Sequence, residues 1–244
     1  MFRTRRTRYT ATVEAVSLIA PRMARITLGG PGMATFRCDE PTQWVKLFVP
    51  DPLDGRTVGR AYTVRHHSPT APRIDVDVVL HGNGPAARWA EAARPGQEVS
   101  FGGPKGSFRP DPDADYYLLA GDESAQPAVL TIAESLPPGL RGAVYLEVAG
   151  PEAEVEVSAR AGLDVVWVHR TAGRAKGEAL RDAVLEATVP HKRVAAWAAG
   201  EAGAIREILR HFTEGIGLDR RRAYAKGYWK ANQADHRDPP AWDQ

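Results

Sequence analysis

The sequence predicts two domains of different classes, an N-terminal antiparallel β-barrel of six strands in residues 1–112 and a C-terminal α/β domain with a parallel sheet in residues 113–244. The first part consists of short segments that alternate apolar and polar residues between glycine and proline turns, which is typical of a closed barrel. The second part alternates continuous apolar segments with helix-like segments, which is typical of a mostly parallel sheet. The pattern changes near Phe108–Ala114.

The predicted barrel strands are short and end at turn-forming residues. In Arg73–Leu80, for example, Ile74, Val76 and Val78 occupy every second position, so that they would share one face of a strand. The six predicted strands are Tyr9–Ser17, Met23–Leu28, Trp44–Val49, Arg60–Arg65, Arg73–Leu80 and Val99–Phe101.

A helix interrupts the predicted barrel at Pro85–Ala93, a segment rich in helix-forming residues. Pro85 suits a first helical position, and Gly82-Asn83-Gly84 before it predicts a tight turn. The free amide groups and positive dipole at the start of this helix can bind a phosphate group. Alternatively, the helix only closes one end of the barrel and binds nothing.

The second domain is predicted to place its ligands at the carboxyl ends of the strands, so that Gly121–Ser124 and Gly200–Glu201 are the candidate binding loops. The polar tail Ala231–Gln244 is expected to be partly disordered. The predicted elements are strand Tyr116–Ala120, helix Ala125–Leu136, strands Ala143–Ala149 and Val165–His169, helix Gly177–Ala187, strand Val194–Ala199, helix Glu201–Gly215 and strand Arg222–Tyr228.

Composition excludes several classes of protein. The 244 residues carry a net charge of only +2, which gives no reason to expect a nucleic-acid partner. The single cysteine, Cys38, excludes an internal disulfide and a multi-cysteine metal site. No apolar segment approaches the length of about 18 residues that spans a membrane, and the basic N-terminus lacks the apolar core of a secretory signal. We therefore expect a soluble cytoplasmic protein. Separately, we expect a monomer, although the sequence leaves the oligomeric state open.

Arg60, Tyr62 and Thr63 are candidates for binding a flavin dinucleotide. On a strand, Arg60 and Tyr62 would lie on one face and Thr63 on the other. Arginine can bind a pyrophosphate, a tyrosine ring can stack on a planar ring, and a threonine hydroxyl can bond a ring nitrogen. Alternatively, this is a surface strand with a solvated arginine and a half-buried tyrosine.

Two glycine-containing segments are further candidates for cofactor contacts. Gly121–Ser124 follows a buried strand and opens a helix with Ser124 as a suitable N-cap, so it can bind the pyrophosphate of a nicotinamide dinucleotide or be an ordinary capped helix start. Gly102–Phe108 can allow close approach of a cofactor or serve as a hinge. The sequence has no hydrolase triad signature and no metal-ligand spacing, so no metal site is predicted.

Taken in order, several motifs resemble those of the siderophore-interacting protein family. This family of FAD-dependent ferric-siderophore reductases belongs to the ferredoxin–NADP reductase-like superfamily. The resemblance extends to about Lys230, and Ser124, Gln126 and Asn83 depart from the family pattern. The motifs are PRMARITLGG at 21–30, VKLF at 45–48, RAYTVR at 60–65, DVDVVLHG at 75–82, GPA at 84–86 with Trp89, GPKGSF at 103–108, AGDESAQPA at 120–128, WAAGE at 197–201 and GYW at 227–229.

The resemblance implies a ferredoxin reductase-like architecture, in which the barrel binds FAD and the α/β domain binds NADPH or NADH as electron donor. The residues that it assigns to FAD are Arg60, Tyr62, Thr63, Val64, Asp77, Val79, His81, Gly84, Pro85, Ala86 and Trp229. Those that it assigns to the nicotinamide cofactor are Gly121, Asp122, Glu123, Ser124, Gly200 and Glu201.

The resemblance further implies that the protein reduces the Fe³⁺ of a ferric siderophore to Fe²⁺ and so releases iron inside the cell. Because electrons would pass through FAD, no side chain is expected to act as a catalytic acid or base. Lys46, Lys230 and His236 are candidates for attracting the anionic chelate, although a surface lysine is usually only solvated.

The sequence leaves several alternatives open. The same fold also suits a flavin or quinone reductase, and a non-enzymatic barrel could bind nucleic acid through Arg3–Arg8. The choice between NADH and NADPH is open as well. Glu152 and Glu154 favour a free ribose hydroxyl, whereas Arg170 and Lys176 favour a phosphate.

Overall fold

A computed structural model describes residues 7–68, 70–82, 84–158, 162–190 and 193–233. The chain divides into two compact units, with the division after Arg109. His236, Asn83 and most of the predicted polar tail lie outside the described residues. None of the helices in the described ranges is long and apolar enough to cross a membrane.

In its described residues, the first unit is a closed antiparallel barrel of six strands with one α-helix. Its elements are β1 (Arg8–Ala20), β2 (Met23–Gly29), β3 (Trp44–Pro50), β4 (Thr57–Ser68), β5 (Arg73–Val79), α1 (Pro85–Ala92) and β6 (Glu98–Lys105). The strands follow the order β1-β2-β5-β4-β3-β6, and every neighbouring pair is antiparallel. This arrangement confirms the predicted barrel.

Alternating side chains form the core of the barrel. In β2, Ile26 and Leu28 are fully buried and lie opposite Val76 and Ile74 of β5. Phe101 of β6 is also fully buried. Each such side chain stabilises the fold by about 1.5–3 kcal/mol relative to its exposed state. The period of two in the sequence therefore corresponds to the inward faces of the strands.

Strand β6 is longer than predicted and includes Gly102–Lys105, a segment that the sequence left as a cofactor loop or a hinge. Gly102 pairs with residues of both β1 and β3, so that both edges of the strand are bonded there. Gly103 has a φ of 143°, and a Cβ at this position would lie 3.0 Å from the carbonyl oxygen of Trp44. Glycine at this position allows the close contact between β6 and β3.

The second unit is a parallel five-stranded sheet with helices in its connections. Its elements are β7 (Tyr116–Asp122), α2 (Gln126–Ser135), β8 (Arg141–Val148), β9 (Gly162–His169), α3 (Glu178–Leu185), β10 (Val194–Glu201), α4 (Ala202–Arg210) and β11 (Ala223–Trp229). The order is β11-β10-β7-β8-β9, and all neighbours are parallel. The predicted α/β class is confirmed.

The strand order reverses between β7 and β10. The chain moves outward from β7 to β8 and β9, and it then returns to β10 on the other side of β7. Ligands of open α/β sheets bind beyond the carboxyl ends of the strands at such a switch point. In this unit the two strands end at Asp122 and Glu201.

Candidate cofactor sites

The ladder between β4 and β5 ends part-way along both strands. β4 pairs with β3 over Thr57–Thr63, but in the described residues it pairs with β5 only over Val64–Ser68. β5 continues to pair with β2 beyond that point. The two strands therefore separate where two groups of the predicted FAD residues lie, Arg60–Thr63 on β4 and Asp77–Val79 on β5.

Arg60 and Tyr62 bring a cation and an aromatic ring to this part of β4. Both are half-buried, and Tyr62 packs against the barrel core. Burial raises the pKa of Tyr62 to about 12, although the charge of Arg60 opposes the rise. The phenol therefore stays protonated at neutral pH and can donate a hydrogen bond. The next two residues, Thr63 and Val64, are buried.

The side chain of Asp77 is bound by Arg25 of the neighbouring strand β2. Nε and Nη2 of Arg25 donate to its two oxygens at 2.7 and 2.8 Å, and the Asp77 side chain is 1% exposed. Any contact of Asp77 with FAD would therefore use its backbone. At the end of β5, Val79 is half-buried, and His81, beyond the strand, is exposed.

The start of α1 suits an anion. Gly84 is the N-cap in an extended conformation, Pro85 follows it, and the first turn holds neither a side-chain cap nor an acidic residue. The N-cap residue therefore offers no side-chain oxygen that could accept a hydrogen bond from the first-turn amides, such as that of Ala86. Arg88 bonds Asp51 at 2.7 and 3.2 Å, which fixes α1 to the loop after β3.

In the second unit, the buried carboxylate of Asp122 accepts four hydrogen bonds at the end of β7. The amides of Ser124 and Ala125 donate at 2.9 and 3.3 Å, the hydroxyl of Ser124 at 2.5 Å, and Nε1 of Trp229 at 2.7 Å. Gly200 has a φ of 151°, and a Cβ there would lie 2.6 Å from Oδ2 of Asp122. Glycine is therefore required beside this carboxylate.

The prediction that Ser124 caps the following helix is wrong. The N-cap of α2 is Ala125, with no side-chain hydrogen bond, and the Ser124 hydroxyl instead donates to Asp122. Because Asp122 already accepts the amides of Ser124 and Ala125, these donors are bound to the protein's own carboxylate. A dinucleotide at this edge would need other contacts for its pyrophosphate.

Stability should depend on pH through Asp122. Burial raises the pKa of this carboxyl, and its hydrogen bonds with Ser124 and Trp229 oppose the rise. The unfolded chain then loses the proton at a lower pH, about 3.9, so the contribution of Asp122 to stability falls as the pH rises above that value. We expect the unfolding free energy of the wild type, relative to Asp122→Asn, to decrease between about pH 4.5 and about pH 7.5 in urea titrations. A constant difference would contradict the raised pKa.

Glu123, Glu147 and Arg170 form a charge network at the carboxyl ends of β7, β8 and β9. Nη2 of Arg170 lies 3.0 Å from Oε1 of Glu123, and Nη1 lies 3.6 Å from Oε1 of Glu147. Glu147 is fully buried and also accepts the amides of Gly177 and Leu180 at 3.0 Å, where α3 begins. Glu147 was not among the predicted site residues, because a single carboxylate in an apolar strand gives no sign of a helix start 30 residues later.

The carboxyl end of β10 lies beside the carboxyl end of β7. Gly121 pairs with Ala199, so the two predicted nicotinamide segments meet on adjacent strands. Oε2 of Glu201 accepts the amide of Ala204 at 3.0 Å and caps α4. The side chain of Glu201 therefore has a structural role at this edge.

The predicted substrate residues fall in different parts of the chain. Lys46 is on β3, with Nζ 6.0 Å from the ring centroid of Phe48. Lys230 is exposed just after β11, and His236 lies outside the described residues. Within the described ranges, no group of three or more His, Cys, Asp and Glu side chains could bind a metal ion.

Two family models match the chain, one on each side of the division. The siderophore-interacting FAD-binding domain matches residues 12–57 and 51–108, and the siderophore-interacting protein model matches residues 114–232. The chain belongs to the siderophore-interacting protein family. This result confirms the family resemblance found in the sequence.

Relatives of this siderophore-interacting protein align over most of its length. An uncharacterized protein of Mycobacterium tuberculosis is 37% identical over 256 residues, or 91% of this chain and 90% of the relative. Ferric vibriobactin reductase ViuB of Vibrio cholerae is 31% identical over 238 residues, or 87% and 85% of the two chains. The crystal structure of a siderophore utilization protein from T. fusca has a TM-score of 0.85 and 34% identity, with 94% and 95% covered.

The comparisons confirm a ferredoxin reductase-like fold and identify this siderophore-interacting protein as a flavoprotein oxidoreductase with FAD as its cofactor. The barrel fits FAD. Arg60 and the uncapped start of α1 suit a pyrophosphate, and the half-buried ring of Tyr62 suits a planar ring. The role of each residue at FAD stays a prediction.

Proposed function

We propose that this siderophore-interacting protein reduces the ferric ion of a siderophore inside the cell, with a nicotinamide dinucleotide as electron donor and FAD on the barrel. The observation that carries the proposal is the 31% identity to ferric vibriobactin reductase over 87% of the chain. Arg60 and Tyr62, a cation and an aromatic ring that lie where the pairing between β4 and β5 ends, support this proposal.

In the barrel, we assign the pyrophosphate of FAD to Arg60 and to the first-turn amides of α1. Antiparallel pairing places the first half of β4 at the same end of the barrel as the end of β5, from which α1 follows. A guanidinium and free helix amides are both strong donors to phosphate oxygens. Thr63 and Val64, together with the backbone from Asp77 to His81, complete the proposed contacts.

We assign the flavin ring to the ring of Tyr62. FAD, when bound, accepts a hydride and passes on single electrons, which is the chemistry that a ferric ion requires. Tyr62 would orient the ring, and its high pKa keeps the phenol uncharged beside it. No side chain needs to act as an acid or base at iron.

In the α/β unit, we assign the nicotinamide donor to the edge formed by Gly121–Ser124 and Gly200–Glu201. Asp122 positions Trp229 there through the 2.7 Å hydrogen bond to Nε1, and Nζ of Lys176 lies 5.8 Å from the indole centroid. The assignment of Trp229 to FAD rests on the family resemblance alone.

Lys46 and Lys230 are the proposed cations for the chelate. Siderophores bind ferric iron through hard oxygen ligands, and the ferrous ion is bound less tightly once it forms. Many such chelates are anionic, so a lysine ammonium would raise their local concentration by electrostatic attraction. Lys230 is exposed, whereas Lys46 lies half-buried along β3.

The proposal is tested first by colour and by choice of acceptor. The purified protein should be yellow, should be bleached by NADH or NADPH under anaerobic conditions, and should recover its colour with ferric siderophores. Faster recovery with quinones or free flavins than with every ferric chelate would instead favour a flavin or quinone reductase. A colourless protein that does not bind added FAD would contradict the proposal.

Tyr62→Ala is expected to weaken FAD binding by about tenfold or more, because it removes the ring proposed to stack on the flavin. Tyr62→Phe is the matched control, since it keeps the ring and loses only the hydroxyl. Fluorescence titration of the apoprotein with FAD measures both. Equal dissociation constants for wild type and Tyr62→Ala would show that Tyr62 does not stack on FAD.

A further inference from the structure

The side chains beyond β8 and β9 bear on whether the nicotinamide donor carries a 2′-phosphate. In dinucleotide-binding sheets of this type, the first strand ends at the loop that binds the pyrophosphate, and the residues after the neighbouring strand contact the adenosine ribose. A carboxylate there bonds the 2′-hydroxyl of NADH, whereas an arginine nearby binds the 2′-phosphate of NADPH. In this chain the strand next to β7 on that side is β8. The segment Gly150–Glu154 follows it, and Arg170 follows β9.

Arg170 is already bound by two carboxylates. Its side chain is only 16% exposed, and it bonds Glu123 at 3.0 Å while it lies 3.6 Å from the fully buried Glu147. A phosphate at this guanidinium would lie beside the carboxylates of Glu123 and Glu147, which already balance its charge and would repel the anion. Arg170 is therefore a structural ion-pair residue and not a phosphate ligand.

Lys176, the other predicted phosphate ligand, packs against an aromatic ring. Its Nζ is 5.8 Å from the ring centroid of Trp229, and Nε1 of that indole donates to Asp122 at the end of β7. The next residue, Gly177, donates its amide to Glu147 of β8. The ammonium of Lys176 is therefore placed for a cation–π contact, and its backbone lies next to a buried carboxylate.

The loop after β8 is acidic. Glu152 is exposed in a short 3₁₀ turn, Pro151–Ala153, and Glu154 bonds His169 at 2.8 Å. Among the described residues, Glu152, Glu154 and the two carboxylates bound to Arg170 make four acidic side chains at this corner of the sheet, against the two cations Arg170 and Lys176. A 2′-phosphate would add a charge of roughly −2 and would be repelled, whereas a ribose hydroxyl can donate a hydrogen bond to a carboxylate.

We infer that this chain prefers NADH to NADPH, with Glu152 bonding the adenosine ribose and the Glu123–Arg170–Glu147 network withholding Arg170 from a phosphate. The inference rests on the proposed use of a nicotinamide donor. It resolves the choice that Glu152, Glu154, Arg170 and Lys176 leave open in the sequence.

Isothermal titration of the FAD-bound protein tests the inference without turnover. ADP-ribose should bind about tenfold or more tightly than ADP-ribose 2′-phosphate, and NADH should bleach the flavin faster than NADPH at equal concentration. Glu152→Lys should shift the binding ratio toward the phosphate form by about tenfold. Glu186→Lys is the control, because it makes the same change of charge at an exposed position at the other end of α3.

The outcomes separate this inference from the proposed function. Equal or tighter binding of the 2′-phosphate form, or the same shift with Glu186→Lys, would overturn the inference while NADPH could still reduce the flavin. Failure of both nucleotides to bind would overturn it too. If neither NADH nor NADPH reduces a flavin that dithionite reduces, the proposed nicotinamide donor itself is wrong.

Discussion

Replacing Arg25 with methionine is expected to lower the unfolding free energy of the barrel by about 3–5 kcal/mol. Arg25 makes two hydrogen bonds, of 2.7 and 2.8 Å, to Asp77, whose side chain is 1% exposed. Without the guanidinium, a buried carboxylate lacks its counter-charge and its two donors. Urea denaturation followed by circular dichroism measures the change, and FAD affinity should fall with it because Asp77 precedes the proposed FAD contacts on β5.

Two controls separate the ion pair from general damage to the β2–β5 ladder. Thr27→Val removes a single 2.8 Å hydrogen bond to Asp75 from the same ladder and should lower the unfolding free energy by only about 0.5–1.5 kcal/mol. The double variant Arg25→Met with Asp77→Leu should recover much of the loss, because no buried charge remains. A double variant no more stable than Arg25→Met would contradict this explanation.

Glu147→Ala is expected to lower the unfolding free energy of the α/β unit by about 2–4 kcal/mol. The fully buried carboxylate accepts hydrogen bonds from the amides of Gly177 and Leu180 and faces Arg170. In the alanine variant, these donors lose that acceptor. The effect is measured by urea denaturation, and by faster amide hydrogen exchange at the start of α3.

Glu147→Gln is the matched control, because its side-chain oxygen can still accept a helix amide while the charge is lost. It should lose less stability than Glu147→Ala. If the two variants were equally unstable, the charge on Glu147, and not its hydrogen bonds to α3, would carry the stabilisation.

Hydrophobic periodicity predicts both sheets, because side-chain alternation and continuous apolar segments depend on the burial of strand faces. Ile26, Leu28, Ile74 and Val76 can thus be assigned to a barrel interior from sequence alone. The extent of β6 was not predictable in this way. Gly102–Lys105 has turn-like composition, and only pairing with two neighbouring strands makes it a strand.

The candidate site was predictable only in part. Arg60 and Tyr62 stand in one short motif, so their chemistry is visible in the sequence. The contact of Asp77 with Arg25 depends on strand register. The contacts of Asp122 with Trp229 and of Glu147 with the start of α3 depend on where distant segments return to the sheet edge. These three contacts cannot be read from spacing along the chain, whereas the bonds of Asp122 to Ser124 and Ala125 are local.

The most direct test of the account mixes protein whose FAD has been reduced with a ferric siderophore, anaerobically and with a ferrous-specific chelator present. We expect FAD to be reoxidised and about two ferrous ions to appear per FAD, because the cofactor carries two electrons and each ferric ion accepts one. The gallium complex of the same siderophore, which has nearly the same shape and charge, should leave FAD reduced. A flavin that stays reduced with every ferric siderophore tested, yet is reoxidised by a quinone, would contradict the account.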